Sequence, residues 1–267
     1  MQLRGKRVLV TGASRGIGEA LATRFAEAGA TVALVARSAD AIEKLAADLG
    51  GTAHPADLAD HAQVSTLLRR VEEEAEPIDV LVNNAGIGIA KSIADCTPED
   101  VEQIFRVNLL SPVELCRQAI PLMLRRGGGH IVNISSLAGV GAFPGLCAYA
   151  STKAGLTHFT AGLRADLKGL PIGTTVVELG PIPTDMLDEA GSYSPTDDSF
   201  KRFRRLQLLT DVPRETVADE VIKAVEKDCR HVRIPKRAQM FPMLTEAPRR
   251  LTEMFLVGVK HQAATTD

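Results

Sequence analysis

Arg7-Val8-Leu9-Val10-Thr11-Gly12-Ala13-Ser14-Arg15-Gly16-Ile17-Gly18 is the stretch on which the reading of the fold turns. The run Arg7–Val10 is short, apolar and β-branched, which reads as a buried strand. Glycines at 12, 16 and 18 follow at once. Beyond them Leu21, Phe25 and Ala28 recur at helical spacing, and Gly29 supplies a C-terminal stop. Strand, glycine-rich turn and helix in that order let the backbone approach a pyrophosphate seated on the helix N-terminus. Glycines also make ordinary tight strand-to-helix turns, so the pattern takes its weight from its flanks. The spacing is G-x-x-x-G-x-G, not the commoner G-x-G-x-x-G. Gly12, Ser14, Arg15, Gly16, Ile17 and Gly18 are the residues expected at a bound dinucleotide.

Outward from this unit, similar runs occupy Thr31–Val35, Val80–Val82, His130–Ile134 and Thr174–Leu179, with a weaker one at His231–Ile234. Helical patterns separate them. The alternation predicts an α/β fold: a single Rossmann-type, doubly wound parallel sheet with helices on both faces. Gly127-Gly128-Gly129 reads as a tight turn into the fourth strand. With no internal repeat and no linker before residue 190, residues 1–267 read as one domain. Residues 184–211 are an insertion on its rim, expected to serve as a substrate lid, and residues 236–267 form a C-terminal extension. Within the rim Ser192–Asp198 reads as too polar and turn-rich to pack into a core, and Phe200, Phe203, Leu206, Leu208 and Leu209 as the apolar side of a short helix that closes over substrate. In that extension Leu244, Ala247, Leu251, Met254 or Phe255, and Gly258 make an amphipathic stripe, expected to pack on this subunit or a neighbour.

Composition excludes several classes. The chain has 31 basic and 33 acidic side chains, a net charge of −2, which argues against a broad nucleic-acid footprint. No run approaches the ~18 apolar residues of a membrane span, and Val8–Val10 is too short for a signal peptide. Cys96, Cys116, Cys147 and Cys229 lack metal-ligand spacing and read as free thiols of a reducing compartment. The six histidines form no cluster. A cytoplasmic protein without a metal is expected.

The second predicted strand runs out at Ala36, followed by Arg37. NAD-preferring folds of this kind place a carboxylate near that point for the ribose hydroxyls. Ala36 has none, whereas Arg37 and Arg15 can pair with a 2′-phosphate, so NADP(H) is expected over NAD(H). Further on, Tyr149-Ala150-Ser151-Thr152-Lys153 sets a phenol and an ammonium four residues apart on one helix face. A cation beside a phenol whose free pKa is about 10 stabilises the phenolate and draws that pKa toward the working pH.

Together with Asp57-Leu58, Asn83-Asn84-Ala85-Gly86, Asn108 and Ser135-Ser136, these motifs make the chain resemble the short-chain dehydrogenase/reductase family over Gly5 to about Ile234. Ser136 stands thirteen residues before Tyr149, a spacing typical of that family. The resemblance implies that Tyr149 exchanges a proton with the substrate oxygen. It implies that Lys153 binds the nicotinamide ribose and lowers the pKa of Tyr149, and that Ser136 polarises the carbonyl. Asn108 would anchor a water in a proton relay. Asp57 and Leu58 would contact the adenine, Asn84, Ala85 and Gly86 the cofactor cleft, and Gly180, Ile182 and Thr184 the nicotinamide. The family often carries Pro-Gly after the fifth strand, where this chain reads Leu179-Gly180-Pro181-Ile182-Pro183-Thr184.

The expected activity is hydride transfer between the nicotinamide and a carbonyl or secondary alcohol of a relatively apolar substrate. A non-catalytic NADP(H)-binding regulatory or scaffolding protein is the alternative. Family resemblance also implies a homodimer or homotetramer, with helices from about Pro98 to Leu124 and Ala150 to Leu167 as interfaces. On the plainer readings, Asp57 is a helix N-cap, Asn83 and Asn84 form a turn, and Lys201-Arg202-Phe203-Arg204-Arg205 is a solvated helix face.

Overall fold

A computed structural model describes residues 1–75, 77–184, 186–187, 191–206, 210–236 and 243. Seven parallel strands form one sheet: β1 (Arg7–Thr11), β2 (Thr31–Ala36), β3 (Thr52–Pro55), β4 (Val80–Asn83), β5 (Gly129–Ser136), β6 (Ile172–Leu179) and β7 (His231–Ile234). Their spatial order is β3-β2-β1-β4-β5-β6-β7. Strand order reverses between β1 and β4, and a crevice opens there at the carboxyl ends of the strands. β3 has no counterpart among the sequence-predicted strands. Thr-Ala-His-Pro is four residues long and closes the sheet on one edge, where a proline needs no ladder partner for its missing N–H.

Successive side chains alternate between the two faces, and each face has its own core. Val8 and Val10 pack with Leu21 and Phe25 of α1 (Gly16–Glu27), Ile42 of α2 (Ala39–Leu49) and Val221 of the last described helix, Arg214–Lys227. Leu9, between them, faces Leu67 of α3 (His61–Glu74) and Leu115 of α5 (Ser111–Arg125). This period of two, buried on both faces, is why the strands read as unbroken apolar runs.

The expected helix from Pro98 is interrupted. It runs as α4 (Pro98–Phe105), opens into one π-turn over Arg106–Leu110 and resumes as α5. A capping box between Thr97 and Asp100 starts it. α6 (Cys147–Asp166) carries the Tyr149–Lys153 pair. Asp60, not Asp57, caps α3, accepting from Ala62 N at 2.8 Å, whereas Asp57 holds a turn through Ala59 N at 2.9 Å.

The rim differs from its expectation. Ser192–Asp198 was expected to be too polar to pack, yet α7 begins at Ser194 and runs to Arg205, and Thr196 is 0% exposed. Its hydroxyl donates to Pro144 O at 2.6 Å, which satisfies the polar atom that burial would otherwise strand. Phe143 meets Phe200 edge-on at 5.7 Å and Phe203 at 5.3 Å, so α7 is pinned against the loop after β5. Leu206 is exposed. Leu208 and Leu209, expected on the lid's apolar side, lie outside the described residues, as does the C-terminal stripe. The last described helix is α8 (Arg214–Lys227).

Candidate active site

The crevice at the carboxyl ends of the strands is a cleft of about 1080 Å³. One arm is built on the glycine turn. Gly12 N and Ala13 N donate to Val35 O at 2.7 and 3.2 Å, tying the turn to β2. Thr11 Oγ1 accepts from Asn84 N at 3.0 Å and Ala85 N at 3.1 Å, and Asn84 Nδ2 donates back to Thr11 O at 2.9 Å. Asn84 is therefore a strap between the ends of β1 and β4 as well as a lining residue. Gly12 has φ +67°, and a Cβ there would stand 2.8 Å from Ala85 Cα; a Cβ on Gly18 would stand 2.0 Å from Gly12 O. Only glycine permits either approach. Arg15 precedes α1 in extended geometry, with no side-chain cap on the helix. Gly16, Ile17 and Gly18, which open α1, line the cleft, the position from which first-turn N–H groups can receive an anion.

Of the residues expected at the cofactor, Ser14, Arg15, Gly16, Ile17, Arg37, Asp57, Leu58, Ala85, Gly86, Gly180, Ile182 and Thr184 all line this cleft. Gly86 lies beside the polar ends of Asn108 and Lys153: a Cβ there would stand in ordinary contact with Asn108 Oδ1 at 3.4 Å and Lys153 Nζ at 3.5 Å. The unusual Gly180–Thr184 loop still returns to the cleft. Gly180 N donates to Ile234 O at 2.7 Å, and Thr184 Oγ1 donates to Ile182 O at 3.2 Å.

The other arm holds the four residues implied as catalytic. Ser136, at the end of β5, accepts from Ala138 N at 3.1 Å and donates to Leu179 O at 3.2 Å; it also stands close enough to the Tyr149 phenol to pull that pKa down. Ser135 faces away, with its hydroxyl on Lys153 O at 2.8 Å and Thr157 Oγ1 at 2.7 Å. Lys153 is 5% exposed, and its Nζ donates to Ile134 O at 3.0 Å. Asn108, in the π-turn, clamps the backbone of Ile87 through both amide atoms, each at 2.9 Å, and donates to Thr152 Oγ1 at 3.3 Å. Single π-turns in α-helices recur at functional sites.

Burial acts on both members of this pair. Burial pushes the Tyr149 phenol above its ordinary value, and only the Ser136 hydrogen bond pulls it down. Lys153 Nζ is 5.8 Å from the ring centre and directed at Ile134 O. Burial pushes its own pKa down to about 8. In this arrangement desolvation outweighs the Ser136 hydrogen bond on the phenol.

A family model for short chain dehydrogenases matches residues 6–194. The chain belongs to the short-chain dehydrogenase family. It is an oxidoreductase, and it is 40% identical over 229 residues to the ketoacyl reductase HetN of a Nostoc species. That match covers 84% of this chain and 76% of HetN. A short-chain dehydrogenase from Sphingobium yanoikuyae, solved in complex with NADPH, matches with a TM-score of 0.78 at 26% identity. It covers 97% of this dehydrogenase and 99% of its own chain. One from Burkholderia cenocepacia, solved with NADP, matches at 0.77 and 32% identity, over 88% of this chain and 98% of that one.

Sequence reasoning missed part of the cleft wall. Phe143 and Leu146 line it from the loop after β5, Gln103 from α4 and Arg214 from the start of α8. Phe143 and Leu146 sit between two recognised motifs, a position that could have marked them. Nothing local marks Arg214, which reaches the cleft by helix packing. Among the described residues no group of histidine, cysteine, aspartate or glutamate suits a metal, and no helix is long and apolar enough to cross a membrane.

Proposed function

We propose that this dehydrogenase is an NADP-dependent carbonyl reductase of apolar ketones or aldehydes, with Tyr149 as its acid. The carrying observation is one continuous cleft with a glycine-turn anion cradle and Arg37 on one arm, and the Ser136–Tyr149–Lys153 group on the other. Arg15 and Arg37 would hold the 2′-phosphate, the uncapped N–H groups of α1 the pyrophosphate, and Lys153 the nicotinamide ribose. One NADPH complex and one NADP complex among proteins similar in structure support this choice. When bound, NADPH supplies the hydride.

Tyr149 holds its proton at the phenol oxygen and passes it to the substrate oxygen as the carbonyl is reduced. A phenol raised by burial stays protonated at neutral pH, which favours the donating role over base catalysis. Ser136 orients that oxygen from the same side. Asn108 fixes Ile87 and, with Thr152, the wall behind Lys153. Phe143, Leu146, Met186, Leu187 and Phe200 offer an apolar wall, so polyols are poor candidates. The presence of all four groups disfavours the binding-only alternative.

This reading takes the chain as one domain, working in the cytoplasm as a homodimer or homotetramer. Its test is a panel of aldehydes and ketones followed by NADPH absorbance, with Tyr149→Phe alongside. On any substrate turned over, that variant is expected to lose roughly 10²–10⁴-fold in kcat while NADPH affinity changes little. Retained turnover, or a collapse of NADPH binding instead, refutes the assignment.

A further inference from the structure

α1 and α8 lie side by side and point the same way. Glu19 Oε2 meets Arg214 Nη1 at 3.0 Å, and Arg24 Nε pairs with Asp219 Oδ1 at 2.9 Å. An equal advance of five residues on each helix fixes their common direction and register. Arg214, the first residue of α8, is thereby placed beside the glycine turn that opens α1, and it lines the cleft.

Among the described residues the cations lining the cleft are Arg15, Arg37, Lys153 and Arg214. On the reading above, the first two serve the 2′-phosphate and Lys153 serves the nicotinamide ribose. The doubly charged pyrophosphate is then left with backbone N–H groups and a helix dipole. It also has a carboxylate against it, because Glu19 stands in the first turn of α1. An anion there opposes a second anion at the same helix end. Arg214 neutralises Glu19 now, and its other partner, Glu215 Oε1 at 3.1 Å, is its own neighbour in the chain. Both carboxylates are part-exposed, so exchanging them for a phosphate leaves no buried charge behind.

We infer that Arg214 is a further dinucleotide-binding residue, which gives up Glu19 to hold the cofactor's pyrophosphate. The inference rests on the cleft being a dinucleotide site. It gives Glu19 the role of a competitor for the arginine, not of a structural partner.

The test measures equilibrium binding of NADPH and NADH by their own fluorescence, since the chain contains no tryptophan. Arg214→Ala is expected to raise the Kd of both cofactors alike, by roughly tenfold or more, as suits one charge-assisted bond to a shared group. Arg214→Gln replaces it if the alanine variant fails to fold. Glu19→Gln is expected to tighten both cofactors, because it frees the arginine and removes the opposing charge. Adenosine 2′-phosphate, which carries no pyrophosphate, is expected to bind wild type and Arg214→Ala equally. If Arg214 only docks α8 on α1, Glu19→Gln weakens binding in the same direction as Arg214→Ala; that result, or no tightening, overturns the inference. So does an Arg214→Ala whose two constants stay within about twofold of wild type. Failure of the cofactor reading looks different, because then the wild-type protein itself binds neither nucleotide.

Discussion

Replacing Lys153 by Met should make the protein more stable as it makes it inactive. The ammonium is 5% exposed, and burial pushes its pKa from 10.5 down to about 8. A shift of that size amounts to roughly 3 kcal/mol held against the folded state wherever the lysine is charged in both states. Its folded pKa lies below its unfolded one, so the unfolded chain binds the extra proton between about pH 8 and 10.5. The penalty is therefore complete below pH 8 and fades as pH rises through that window. Methionine removes the charge and keeps most of the volume, but strips Ile134 O of a donor at 3.0 Å, a loss of about 1 kcal/mol. The net expectation at pH 7 is a gain of about 2 kcal/mol, or roughly 5 °C in Tm for a domain of this size. Urea denaturation of wild type and Lys153→Met without cofactor, at pH 7 and pH 10, reads it directly. The gap between the two proteins should shrink at pH 10. A variant less stable than wild type at pH 7, or a gap that grows with pH, would refute the reasoning.

Three further outcomes follow from other parts of the molecule. Burial depresses His130, bonded to Thr175 Oγ1 at 2.8 Å, to about 4 from 6.5. The unfolded state then binds the extra proton between those values. Stability should fall by about 2 kcal/mol from pH 7 to pH 5 through this group, a slope that His130→Gln should flatten in urea melts. Arg37→Ala is expected to weaken NADPH by roughly 10–100-fold while NADH is nearly unaffected, and equal losses in a fluorescence titration would remove the 2′-phosphate role. Limited proteolysis without ligand should spare Ser194–Arg205, since Thr196 and the Phe143–Phe200–Phe203 cluster already hold that helix. Rapid cutting inside it would restore a loose lid.

Much of the site was legible because its motifs are local. The glycine turn must be glycine wherever two backbones approach within 3 Å, so Gly12 and Gly18 announce themselves in one dimension. Tyr149 and Lys153 share one helix face, and helical geometry alone brings them together. The polar look of Ser192–Asp198 misled for a related reason. Residue type predicts average burial, whereas Thr196 is buried because one carbonyl, Pro144 O, stands where its hydroxyl needs it.

By itself, then, the sequence determined the parallel α/β architecture, the glycine turn and which residues meet in the candidate site. Apolar periodicity and glycine sterics act over neighbouring residues, so these survive in one dimension. Tertiary structure alone decided the edge strand β3, whose four residues carry too little pattern to stand out, and the π-turn that aims Asn108 at Ile87. It also decided the direction in which the Tyr149 and Lys153 pKa values move, because desolvation depends on what surrounds a charge and not on what precedes it in the chain. Arg214 is the furthest case. It stands 196 positions after Gly18 and reaches the cleft only because α8 packs in register on α1.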